Sequence, residues 1–132
     1  MTTSAKNSRK HIDELHFENK LSLNQLEFYK QEIGIFKHRL EELVARNTKT
    51  EVTSGIEQFQ NQFIRQLEVN DELRHKINLH EQEIIEYAKN NPVAIDHVLF
   101  DANDALAGEV ERYTQLYNEM KSNFYRFISE WM

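Results

Sequence analysis

A chain of 132 residues suits a single domain. It has no Cys, which excludes a disulfide framework, a thiol nucleophile and any Cys-based zinc site; three Gly and one Pro leave little punctuation for hairpins. Sixteen basic residues against 22 acidic ones give a net charge of −6, and an acidic surface repels phosphate backbones and anionic lipid, so neither nucleic acid nor membrane is an expected partner.

The opening "MTTSAKNSRK" has no apolar core of the secretory kind. Residues 1–7 read as a disordered tail. No apolar run approaches the ~20 residues that cross a bilayer. With the absence of Cys, this sets a cytoplasmic location as the expectation.

Helix one is expected over about 8–46, with Ser8 as its cap. Its seam steps by three and four through Ile12, Leu15, Asn19, Ser22, Leu26, Tyr29, Ile33, Phe36, Leu40 and Leu43. The stretch "RNTKTEVTSG" reads as a loop. Two capping boxes there compete to start helix two, Thr48 with Glu51 and Ser54 with Glu57.

Helix two is expected over about 50–90. Its seam carries Ile56, Phe59, Phe63, Gln66, Asn70, Leu73, Ile77, His80, Ile84 and Tyr87. Pro92 fits the first turn of helix three, capped by Asn91, and helix three is expected over 92–131. Asp101 offers a second cap, which would make residues 92–100 a separate turn. The third seam carries Leu99, Asn103, Leu106, Val110, Tyr113, Tyr117, Met120, Phe124, Phe127 and Trp131.

A three-four alternation held over several heptads is the mark of supercoiled helix packing. Similar lengths and short connections favour an all-α, elongated, antiparallel up-down-up three-helix bundle with coiled-coil-like packing, spanning residues 8–132 as one domain. A register in which helix-one and helix-two partners sum to 99, and helix-two and helix-three partners to 183, brings seam residue to seam residue in every layer.

That register produces two polar slabs. One holds Gln66 with Tyr117 and Asn70 with Tyr29 and Tyr113; the other holds Asn19, His80 and Asn103. Buried polar groups cost ~1–3 kcal/mol when unpaired, so these groups are expected to bond one another and to fix register. The competing reading is a ligand or metal cavity. Its metal candidates are His80, the one inward-facing His, with His16 and Asp104 nearest its layer. A bundle di-iron centre needs inward Glu-x-x-His pairs, and "ELRH" instead puts Glu72 and His75 on outward positions. A hemerythrin-like set of inward His residues is missing too.

No phosphate loop, catalytic constellation or basic stripe stands out, so the chain is not expected to be an enzyme, and no cofactor is implied. The remaining signal is a second apolar row on helix one. Leu21, Phe28 and Ile35 repeat every seven residues at heptad position c, which a three-helix bundle leaves largely wet. Gly34 beside Ile35 permits another backbone to approach. Aligned apolar residues mark contact surfaces. The row is therefore expected to mediate self-association as a homodimer, or to meet another helical protein. The expected function is a non-enzymatic protein–protein interaction or scaffold module; the alternative is a ligand- or metal-binding bundle built around His80.

Overall fold

The structure, a computed structural model, describes residues 12–46, 49–90 and 97–132. The expected tail over 1–7, the Ser8 cap, Thr48 and the Asn91–Pro92 start of helix three lie outside the described residues. The described chain is all-helical. Three helices, α1 (Ile12–Arg46), α2 (Thr50–Asn90) and α3 (His97–Trp131), pack against each other.

Local chemistry supports each helix. None of the three described helices contains a proline. Asp13 and Glu14 occupy the first turn of α1 and Arg46 its last; Glu51 and Lys89 do the same for α2. These charges oppose the partial charges of the helix ends.

The start of α2 settles the competing caps in part. The backbone N–H of Thr53 and its hydroxyl both donate to the Lys49 carbonyl at 3.0 Å. Ser54 and Glu57 therefore lie inside the helix and do not start it. Asp101 likewise sits within α3, which begins at His97. It caps no second helix.

The chain forms two compact units. The first comprises Met1–Leu26 and Glu72–Glu111, the second Glu27–Asp71 and Arg112–Met132. Each helix contributes one stretch to each unit.

In both units the core is made from the seams. Every buried hydrophobic residue of the described chain is a seam residue except Val52, which stands four residues before Ile56 and extends the same stripe backwards. The first unit buries Leu15, Leu26, Leu73, Ile77, Ile84 and Val110. The second is aromatic. Phe124 lies 5.0 Å from Phe36 and 5.3 Å, edge-on, from both Phe59 and Phe63, measured between ring centres. Fully burying such a side chain is worth about 1.5–3 kcal/mol, and each aromatic pair adds ~0.5–1.5 kcal/mol. Among the described residues no helix is long and apolar enough to cross a membrane.

Candidate functional site

In the first unit, Asn19, His80 and Asn103 are buried. The hydrogen bonds of the two asparagines run to carboxylates at the edge of the core. Asn19 Nδ2 donates to Glu81 Oε1 at 2.6 Å, and His16 Nδ1 lies 2.5 Å from Glu81 Oε2. Asn103 Nδ2 donates to Glu18 Oε2 at 3.2 Å. His80 Nδ1 has Glu83 at 3.8 Å, too far for a hydrogen bond. Two buried atoms remain without a partner, His80 Nε2 and Asn103 Oδ1.

Of the metal candidates, His16 is thus tied to Glu81, His80 is buried, and Asp104 is exposed. Among the described residues no group of three or more His, Asp or Glu side chains is placed to hold a metal ion. Glu72 and His75 are both exposed.

The second unit gathers the other polar seam residues. Asn70 Nδ2 donates to Tyr113 Oη at 3.2 Å, and Tyr113 Oη donates to the Gln66 carbonyl at 3.2 Å. Tyr29 stacks on Tyr117 with ring centres 4.1 Å apart and lies 6.1 Å from Tyr113. Gln66 Oε1 is buried without a partner.

The partner of Tyr117 is a residue that the seams do not contain. Its hydroxyl donates to Glu32 Oε1, and Lys121 Nζ donates to Glu32 Oε2 at 3.0 Å. Burial, then the Glu32 hydrogen bond and charge, push the Tyr117 phenol far above its usual range. The Glu32 hydrogen bond likewise raises the Lys121 ammonium. Both groups are therefore held in their protonated forms, with Glu32 as the shared acceptor. This arrangement ties α3 to α1.

The apolar row on α1 is at the surface. Leu21, in the first unit, is 53% exposed; Phe28 and Ile35, in the second, are 55% and 67% exposed. Ile64, Leu79 and Leu116 on α2 and α3 are exposed as well, so exposure alone does not single out α1. Ile35 also borders a hollow in the surface. The hollow, of about 370 Å³, is lined by Gln31, Gly34, Ile35, His38, Arg39 and Glu42. Nothing lies within 4 Å of the position a Cβ would take on Gly34, so the glycine forms an open floor. The rim is charge-balanced: Arg39 Nη1 donates to Glu42 Oε2 at 2.9 Å, and His38 lies 3.8 and 3.9 Å from Glu41 and Glu42.

Compared with protein-family models, curated proteins and solved structures, the chain matches none.

Proposed function

We propose that the chain is a non-enzymatic protein–protein interaction module of the cytoplasm that self-associates through the Leu21, Phe28 and Ile35 row of α1. The observation that carries this reading is the pairing of exposed apolar side chains with a glycine-floored hollow on one helix face. A rigid helix offering an apolar row is a common means of protein recognition, and a surface of this kind needs no cofactor.

The scaffold beneath is an antiparallel up-down-up bundle with coiled-coil-like packing. Contacts inside the second unit support this. From α1 to α3 the pairs rise together, from Tyr29 with Tyr113 to Phe36 with Phe124. From α2 to α3 they run in opposition, from Phe59 with Phe127 to Asn70 with Tyr113.

Sedimentation of the untagged protein across the micromolar range tests the proposal. A concentration-dependent dimer that Phe28→Glu converts to monomer is the expected result. A monomer at every concentration overturns it, and so does a dimer indifferent to Phe28→Glu.

A second reading has one observation of its own. The buried, unpartnered His80 Nε2 and Asn103 Oδ1 suit a small polar ligand in the first unit. Elemental and mass analysis of the protein, purified without a histidine tag, decides it. A stoichiometric metal or small molecule, lost in His80→Ala, would favour this reading over the first.

A further inference from the structure

The hollow beside Ile35 has the geometry of a coiled-coil hole. Four of its residues, Gln31, Gly34, Ile35 and His38, stand at i, i+3, i+4 and i+7. That diamond is what receives a side chain from a facing helix in knobs-into-holes packing. With Gly34 as one corner, the hole is wider than usual and takes a ring. Phe28, half-exposed on the same face and seven residues before Ile35, is a ring of that kind. Knob and hole thus share one patch on one helix. That is the condition for an isologous two-fold interface, in which the same patch serves on both sides.

We propose that the occupant of this hole is Phe28 of a second copy, with the two α1 helices antiparallel. The inference rests on the self-association reading above, adds the orientation and register, and narrows the apolar contact to Phe28 and Ile35, because Leu21 then stands opposite Glu42 of the mate. Seating Phe28 between Gly34 and Ile35 of the mate does so twice by symmetry. It stacks Phe28 against Ile35 across the interface at both places, and it brings Gln31 of one copy beside Gln31 of the other at the two-fold axis.

Charge decides against the parallel alternative. Parallel helices in register would set Glu42 opposite Glu42 of the mate. Like charges directly opposed are unfavourable. In the antiparallel pair the axis meets the neutral Gln31. Glu32, which lies on the same flank, is turned inward to Tyr117 and Lys121. Each Glu42 lies on the order of 30 Å along the helix from its counterpart, at about 1.5 Å per residue.

The native chain has no Cys, so single-cysteine variants report this geometry directly. The probe is a short thiol–thiol crosslinker applied to Gln31→Cys and to Glu42→Cys, each checked for its assembly state by sedimentation. The expected result is a crosslinked dimer for Gln31→Cys and none for Glu42→Cys. Gly34→Leu fills the hole at a position where nothing in its own chain obstructs the side chain. It should remain helical by circular dichroism while its dimer Kd rises about tenfold or more. Crosslinking of Glu42→Cys means a parallel pair and overturns the inference while leaving self-association standing. A dimer with neither crosslink overturns the register. A monomeric wild type overturns both readings.

Discussion

Gly55 lies against the ring of Phe127. A Cβ added to Gly55 would overlap the ring edge, with Cζ at 2.7 Å and Cδ1 at 3.2 Å. The same ring packs against Phe59, 5.1 Å away between centres. At Gly108, by contrast, nothing lies within 4 Å of an added Cβ.

The two glycines should therefore respond to alanine with opposite sign. Gly108→Ala gains helix propensity and should stabilise the protein by up to about 1 kcal/mol. Gly55→Ala has the same gain but must displace the Phe127 ring, and overpacking of this kind costs ~1–3 kcal/mol. Its net effect should be a loss of about 1 kcal/mol. Urea unfolding of both variants measures this. Equal stabilisation by both would mean that the ring yields freely.

Tyr117 should show its protonation in the pH dependence of stability. Tyr117→Phe removes one hydrogen bond to Glu32 and should cost about 1–2 kcal/mol at neutral pH. The folded-state phenol is raised above its ordinary 10.0. Its contribution is thus fully present below pH 10, and it falls as the unfolded tyrosine ionises and the folded one does not. At about pH 11 the gap between wild type and Tyr117→Phe should have closed by roughly 1.4 kcal/mol. Lys121, also raised from 10.5, adds to the alkaline loss in both proteins and leaves the difference to Tyr117. A gap that stays constant from neutral to alkaline pH would contradict this assignment.

The polar seam residues should not be equivalent. Asn70 Nδ2 donates to Tyr113 Oη, which keeps its own bond to the Gln66 carbonyl, so Asn70→Leu removes one buried hydrogen bond and should cost about 0.5–1.5 kcal/mol. His80 Nε2 has no partner, so His80→Leu removes an uncompensated polar atom and should be neutral or stabilising. Thermal unfolding at neutral pH compares the two. A His80→Leu variant that loses as much as Asn70→Leu would point to an ordered water or ligand on that nitrogen.

The seams were legible because burial on a helix is written in period alone. Leu26, Ile33, Phe63 and Phe124 could be assigned inward without knowing what they touch, and each is buried. Val52 was hidden by its company. Thr, Ser and Gly around it read as a loop, yet the Thr53 hydroxyl bonds the Lys49 carbonyl one turn back and the segment stays helical. Glu32 was hidden for another reason. It stands at a flanking heptad position where long polar stems are ordinary, and its meeting with Tyr117 and Lys121 depends on side-chain direction across two helices. The available clue was the need of a buried tyrosine hydroxyl for an acceptor. The hollow at Gly34 is a matter of shape. The glycine marked the place, but its floor and rim emerge only when the neighbouring turns are assembled.

The division of residues between the two units has a consequence for amide exchange. All the close ring pairs found among the described residues, from Phe28–Tyr29 to Tyr113–Tyr117, belong to the second unit, whereas Asn19, His80 and Asn103 interrupt the core of the first. Partial openings draw on regions with the least apolar contact. Deuterium should therefore enter the backbone around Asn19, His80 and Asn103 well before the backbone around Phe36, Phe63 and Phe124. Each helix would then carry a boundary between early and late exchange, near Leu26, Asp71 and Glu111.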